Sequence, residues 1–483
     1  MSTSTAEHLG LVIDGDVVQT PESSAVHDPA APAEVVGFAA SATVEQSTAA
    51  VEAAHRAWRS WSAVPPRERA DRLLTALEAL DTDVEGRAEV LVRENGKPLA
   101  EAQVELAVFV RRCQYAATLA PQLEEVRHLP APPFRSEVHL MPMGVVTIIV
   151  PYNWPLAILA ASLPYALVAG CTTIVKPPPT TPLSVVRTLQ LLAAGLPDGV
   201  LNVVTGSNEA VAPLISHPLV RRVVFTGSTG AGRMIMKEAA DNITRVTLEL
   251  GGNDPAILLE DVELDANTVG RLVRDSFTTS GQVCMGIKRV YVHESRYDEV
   301  VEAMTGQLAE ARVGHGLDPA TTMGPLNSQR QRDFVAELVA DAQSHGYEAR
   351  ALGTIAEESV AAGGWFHRPT LVLDPDPGAR IVREEQFGPA LPILRYTDLD
   401  QVIDSVNEDW SGLCSSVWTA DLDRAAQVAS RLRTGTTWVN DANAIAQDDR
   451  APFGGFRQSG MGRELSTEGL LEFTEPHTIT YRA

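Results

Sequence analysis

The sequence predicts an α/β fold built on parallel sheets with helices on both faces. Two observations carry this expectation. Between residues 145 and 250, the short apolar runs GVVTIIV, CTTIVKP, VLNVVTG and VRRVVFTG alternate with helical segments. Strands with no polar side, separated by helices, belong to sheets covered on both faces. From Asp254 a second alternating unit runs to about Phe456. The chain has 483 residues, of which 45% are hydrophobic, enough for sizeable cores and, as a prior from length, for about three domains.

Taken in order, residues 11–40 read as short strands and turns. Residues 43–62 and 66–118 read as amphipathic helices, the second opening with the Pro start of PPRERADRLLTALEAL. Residues 121–143 are looser and Pro-rich, like an extended arm. In the alternating region PLAILAASLPYALVAG and TTPLSVVRTLQLLAAGLP read as helices, with a short helix before VRRVVFTG and another from Ala231. The closing HTITYRA reads as an edge strand able to pair with another subunit. There is no internal repeat and no low-complexity tract.

The chain carries 39 basic and 62 acidic residues, a net charge of −23. That opposes nonspecific binding to nucleic acid or to an anionic membrane. An anionic cofactor then needs a local nest of N–H groups or a placed Lys. The opening MSTSTAEHLG has neither the basic nor the apolar region of a signal peptide. The longest stretch free of Asp, Glu, Lys and Arg is 138–175, but Pro142, Pro151, Asn153, Pro155 and Pro164 interrupt it. It reads as strand, turn and helix rather than a membrane span. Cys113, Cys171, Cys284 and Cys414 are far apart in sequence, which indicates neither a zinc site nor a disulfide framework. No metal is expected, and a reducing cytoplasm is the default.

Five short stretches carry candidate chemistry, and each has a plainer alternative. VVFTGSTGAGR places Gly227, Gly230 and Gly232 between a strand and a helix. A helix start of this kind suits a diphosphate. The spacing is not the usual dinucleotide fingerprint, and such a turn also serves as a tight strand–helix joint. That fingerprint would put a ribose-binding acid where Glu249 stands. Glu249 lies in the apolar LELGG, so a general base of raised pKa is the better reading; a strand-end Glu paired with a basic neighbour is the plain one. In SGQVCMG, residues 280–286, Gly281 and Gly286 leave room for a ligand beside Cys284, and Gln282 adds a polar group. A lone Cys is otherwise a small buried hydrophobe. The 11 His residues form no nucleophile–base pattern with it, so a catalytic thiol needs backbone dipoles or a cofactor charge. In PYNWP the Asn153 amide can donate to an oxyanion or cap the helix that follows. Lys176, in TIVKPPPTTP, ends a strand at the edge where open α/β sheets bind ligands; it could equally be a solvated loop Lys.

The ordered set PYNWP, KPPP, FTGSTGAGR, LELGG, SGQVCMG, EEQFGPALPI and PFGGFRQSGMGRE resembles the NAD(P)-dependent aldehyde dehydrogenase superfamily. The motifs span 151–464, and the flanking helices and final strand extend the likeness to nearly the whole chain. The resemblance implies a Rossmann-like cofactor-binding domain (1–125 and 145–250), an α/β catalytic domain (251–455) and a small oligomerisation arm (126–144 and 465–483). It implies Cys284 as nucleophile, Glu249 as general base and Asn153 as oxyanion-hole amide. Lys176 matches the Lys on the adenosine ribose, and Gly227, Ser228 and Gly232 match the diphosphate turn. Glu385 and Phe387 match the holders of the nicotinamide ribose and ring, and Val150, Pro151, Pro179 and Leu250 complete the NAD or NADP contacts.

The implied reaction is attack of the Cys284 thiolate on an aldehyde, hydride loss to nicotinamide, and hydrolysis of the thioester. The sequence departs from many NAD-preferring relatives at Pro179, where they carry a ribose-binding Glu; that weakens the expected NAD preference. On the substrate side Trp154, Ile158, Ala161, Met285 and Phe453 are the expected wall. Ala161 is small where many relatives are aromatic, which points to a bulky or aromatic aldehyde unless Trp154 or Phe453 refills the space. The alternatives are a CoA-acylating relative, an inactive structural or binding relative, and a nucleotide-independent thioesterase or esterase. Glu249 argues for hydrolysis over CoA transfer. The family forms homodimers and homotetramers.

Overall fold

The computed structural model describes residues 7–482, arranged around two large sheets and three small ones. The first six residues, which hold most of MSTSTAEHLG, and Ala483 of the closing strand lie outside the described residues.

The alternation at 145–250 becomes the centre of an eight-stranded sheet. Five parallel strands lie in the order Arg245–Glu249, Val220–Thr226, Val145–Ile149, Thr172–Lys176, Leu201–Val203. The chain therefore builds outward in one direction, then crosses back to the other side of its first strand. That reversal puts a switch point between Val145–Ile149 and Val220–Thr226, where open α/β sheets form a ligand crevice at the strand ends. Antiparallel strands flank these five, Gly460–Met461 beside Arg245–Glu249 on one side and Leu11–Ile13, then Asp16–Val18, beyond Leu201–Val203 on the other. Val145, Val146, Ile148, Ile174 and Val175 are all buried, as continuous apolar strands require.

The second unit is a seven-stranded sheet in the order Glu348–Ala351, Thr370–Leu373, Ala390–Tyr396, Arg289–His293, Pro255–Leu258, Cys414–Trp418, Thr436–Val439. It is parallel except for Glu348–Ala351. Only residues 250–254 separate the last parallel strand of the first sheet from the first strand of the second.

Three expectations are corrected. The stretch 66–118 is not one helix. It divides into Pro66–Leu77, Val84–Asn95 and Leu99–Thr118, with a short 3-10 turn at Glu78–Asp81. Gly96, at φ 98°, closes the middle helix by donating to Val92 O, and Pro98 prevents its continuation. PLAILAASLPYALVAG likewise splits, into Pro155–Leu159 and Leu163–Ala169, because Pro164 brings no N–H to the joint. The arm is not merely extended: Arg127–Ala131 and Phe134–Pro142 form a hairpin. Thr474–Arg482 pairs along the full length of Phe134–Pro142 and forms an edge of that sheet. Among the described residues, no helix is long and apolar enough to cross a membrane, and no group of three or more His, Cys, Asp or Glu could hold a metal ion.

Candidate active site

Helix Ala266–Phe277 ends in an unusual loop. Thr279, Ser280 and Gly281 take positive φ values of 50°, 56° and 73° in succession. Two non-glycine residues in this region need surroundings that over-determine them. Glu101 supplies part of that, accepting from Thr279 N at 3.1 Å and Thr279 Oγ1 at 2.6 Å. Ser280 Oγ donates to Gly324 O at 2.7 Å. Gly281 must be glycine, since a Cβ there would lie 2.4 Å from Gly388 O. Gln282 then braces the loop: its Oε1 accepts from Asn327 N at 3.1 Å and Tyr152 Oη at 3.3 Å, and its Nε2 donates to Thr279 O at 3.0 Å. Cys284 follows, half-buried.

The PYNWP turn packs against this loop. Asn153 is 2% exposed, and its Nδ2 donates to Gln282 O at 2.9 Å while its Oδ1 has no partner. Asn153 does not cap the next helix. Glu105, from Leu99–Thr118, does so, accepting from Leu156 N at 2.8 Å and Ala157 N at 3.3 Å. Glu105 is also paired with Lys97, whose Nζ donates to Asn153 O at 2.7 Å and lies 4.0 Å from the Trp154 ring centre. Trp154 Nε1 donates to Thr279 Oγ1 at 2.9 Å. A buried ion pair and an indole therefore fix the amide turn to the thiol loop.

Glu249 ends the strand Arg245–Glu249, opposite Thr226 and Gly460. It is 3% exposed, and neither carboxylate oxygen has a hydrogen-bond partner. No ion pair among the described residues includes it, so the plain reading of a Glu neutralised by a basic neighbour fails. Burial pushes its pKa well above the usual carboxylate range; Glu464 adds to this and Arg463 opposes it. The glycines after it allow close approach: a Cβ at Gly252 would lie 2.7 Å from Cys284 O. Burial also pushes the Cys284 thiol up to about 12, with Lys288 opposing and Glu385, Asp254 and Glu249 adding to the rise.

A cavity of about 480 Å³ opens over the strand ends at the switch point, with Cys284 and Asn153 in its wall. Val150 and Pro151 line it from the first central strand, and Gly227 and Ser228 from the second. Lys176, Pro179, Leu250, Glu385 and Phe387 complete the expected set. Two expected residues are not in the wall. Gly232 packs beneath it, where a Cβ would lie 2.7 Å from Leu250 Cδ2. Glu249 is not among the lining residues either, which disfavours the ribose clamp.

Tyr152, Gln331 and Phe334, which the sequence did not single out, also line the cavity. Gln331 Nε2 donates to Gln386 O at 2.9 Å and Phe387 O at 3.1 Å, and Tyr152 meets Phe387 edge-on at 6.1 Å between ring centres. Tyr152 sits within PYNWP and was within reach of motif reading. Gln331 and Phe334 lie in Gln329–Ser344, which carries no local signal.

The residues present suit a dinucleotide. Lys176 is buried, yet its ammonium group has no acceptor among the described residues and it lines the cavity; burial lowers its pKa. A buried cation without a partner calls for an anionic or polar ligand. Ser228 Oγ accepts from Ala231 N at 3.3 Å and caps Thr229–Ala240, whose first turn faces the same space. Glu385 accepts from Gly252 N at 3.2 Å, and burial pushes its carboxyl up to about 7 with Lys288 opposing.

On the other side of Cys284, Trp154, Ala157 and Val283 form a small apolar cluster against which Val108, Ile158 and Met285 pack. Ala161 and Phe453 belong to the adjoining core. Arg112 approaches this region but donates to Ala157 O at 2.8 Å and pairs with Asp449 at 2.9 Å.

Residues 17–479 match the aldehyde dehydrogenase family. Geranial dehydrogenase of Castellaniella defragrans is 37% identical over 481 residues, covering 96% of this chain and 97% of its own. The NADP-dependent succinate-semialdehyde dehydrogenase of Escherichia coli is 36% identical over 441 residues, covering 89% of each chain. The solved structure of Staphylococcus aureus betaine aldehyde dehydrogenase in complex with NAD+ superposes with a TM-score of 0.92 at 30% identity, over 98% of this chain and 95% of that one. From the motif order, the shape of the crevice and these likenesses together, the chain belongs to the aldehyde dehydrogenase family, NAD(P)-dependent oxidoreductases that convert aldehydes to carboxylic acids.

Proposed function

We propose that Cys284 is the nucleophile, Asn153 Nδ2 and the Cys284 N–H form the oxyanion site, and Glu249 activates the hydrolytic water. The thiolate attacks the aldehyde carbon to give a thiohemiacetal on Cys284. A nicotinamide dinucleotide held in the cavity by Lys176, Ser228, Glu385 and Phe387 would supply the hydride acceptor. Loss of hydride from the thiohemiacetal carbon leaves a thioester on Cys284. Glu249 then takes a proton from water, whose oxygen attacks the acyl carbon, and the carboxylic acid departs as the Cys284 sulfur leaves.

Glu249 carries this reading. A buried carboxyl with two unbonded oxygens is costly as architecture, and burial makes it a stronger base than an ordinary carboxylate. It also favours water over CoA as the acyl acceptor. Lys176, Ser228, Gly227, Val150, Pro151 and Leu250 are assigned to the adenosine and diphosphate end, with Gly232 supporting the turn, and Glu385 and Phe387 to the nicotinamide end. Pro179 lines the cavity with no charge to repel a 2′-phosphate, which supports use of both NAD and NADP.

The aldehyde is read as bulky and uncharged. The Trp154, Ile158 and Met285 wall is apolar, and Arg112 is already neutralised by Asp449. Residues 1–125 and 145–250 are assigned to cofactor binding and 251–455 to catalysis, a division supported by the change of sheet at 250–254. Residues 126–144 and 465–483 are assigned to assembly of a homodimer or homotetramer. Four unpaired thiols fit a reducing cytoplasm.

The test is formation of reduced nucleotide with short aliphatic, long aliphatic, aromatic and carboxylate-bearing aldehydes, using NAD and NADP in parallel. Turnover that is fastest with a bulky neutral aldehyde and absent in Cys284→Ala supports the reading. Faster turnover with acetaldehyde or a semialdehyde would overturn the substrate class.

A further inference from the structure

We propose that Lys288 is a positioning residue for the oxyanion site, aiming the Cys284 N–H by holding the Val283 carbonyl. The inference rests on the reading that Cys284 is the nucleophile. Lys288 is 3% exposed, and among the described residues no carboxylate lies within ion-pair distance of it. Its Nζ instead donates to Val283 O and, at 3.2 Å, to Gly286 O. Both carbonyls belong to the loop that carries Cys284. A buried ammonium group bonded only to backbone carbonyls is costly, so its place against this one loop calls for a reason.

Peptide geometry supplies one. The Val283–Cys284 peptide is planar and trans, so its C=O and N–H point in opposite directions. Val283 O accepts from Lys288 on one side and from Gly286 N at 3.1 Å. With the carbonyl held inward, the Cys284 N–H is turned away from Lys288, and it has no acceptor among the described residues. Asn153 Nδ2 fixes the preceding peptide in the same way, through Gln282 O. Two successive carbonyls are thus anchored, and the free N–H lies beside the amide proposed to share the oxyanion. Lys288 itself is steadied at the back, where its own N–H donates to Asp254 O at 2.9 Å. Its ammonium group also lies 5.9 Å from the Phe387 ring centre, so it spans from the thiol loop to the nicotinamide end of the cavity.

The experiment compares two neutral substitutions, Lys288→Met and Lys288→Gln. Both remove the charge, but only Gln keeps a donor for Val283 O. Lys288→Met is expected to lower kcat by about 10²- to 10³-fold, the scale for one oxyanion donor, with the aldehyde KM changed by less than threefold. Lys288→Gln is expected to recover at least tenfold of that loss. Alkylation of Cys284 by iodoacetamide needs no oxyanion donor, so its rate should be the same in the two variants. Nucleotide binding, followed by fluorescence quenching, confirms that each variant is folded; if Met disrupts folding, the wild-type-to-Gln comparison still reads the anchor through a kcat loss without a KM change. Equal kcat for Met and Gln, or a Met variant within threefold of wild type, would overturn the proposal. Turnover retained in Cys284→Ala would instead remove the reading beneath it.

Discussion

Two carboxylates on either side of the active-site loop are equally hidden from water and opposite in their bonding. Glu105, under the Asn153 turn, pairs with Lys97 and accepts from Leu156 N and Ala157 N. Glu249, at the end of the strand Arg245–Glu249, accepts from nothing. The first is architecture: its hydrogen bonds offset desolvation and fix where the amide turn sits. The second leaves its desolvation cost unmet, and the same environment that makes it costly raises its pKa. On the proposed reading, the satisfied carboxylate belongs to the scaffold and the unsatisfied one to the chemistry. Substitutions on the two sides should therefore separate stability from activity.

The largest effect is expected between the two, at the thiol. Cys284→Ala should lower kcat by about 10⁴-fold or more, as loss of a nucleophile does elsewhere, with nucleotide binding retained. Glu249→Leu should lower steady-state kcat by about 10²- to 10⁴-fold while leaving the melting temperature unchanged or raised. Glu105→Leu should do the reverse, costing about 3–5 kcal/mol of stability because it strands the Lys97 charge. Chemical denaturation of the two variants side by side checks this; equal destabilisation would erase the distinction.

A smaller effect concerns pH. The resting thiol is pushed up to about 12 by burial. Without nucleotide, the rate of Cys284 alkylation should keep rising from pH 7 to 10, since the thiolate fraction is still growing there. A plateau below pH 8 would mean that the thiol is already activated. The smallest is at the far end of the cavity: Pro179→Glu should lower kcat/KM with NADP by roughly tenfold through like-charge repulsion and leave NAD little changed.

The features legible in the sequence are those whose meaning is local. Cys284, Glu249, Asn153 and Lys176 each sit at the end of a strand or in a turn that motif and periodicity locate, and the parallel strands follow from their unbroken apolar runs. What was not legible depends on distant partners. Glu105 is an ordinary helical Glu until folding brings the N-terminus of Pro155–Leu159 against it. Lys288 is one charge at a strand start until Val283 O turns towards it. Gln331 touches the Phe387 loop from 56 residues away in sequence. The breaks at Gly96 and Pro164 were visible as residues, but the helical periodicity on either side outweighed them.

The central claim is that an unbonded Glu249 supplies the base for thioester hydrolysis. The direct measurement is rapid mixing of Glu249→Gln with aldehyde and nucleotide, followed by mass analysis of the protein. The account predicts about one equivalent of reduced nucleotide per active site in a fast burst, then a stall, with the acyl group found on Cys284. Steady turnover at the wild-type rate with no acylated Cys284 would contradict it.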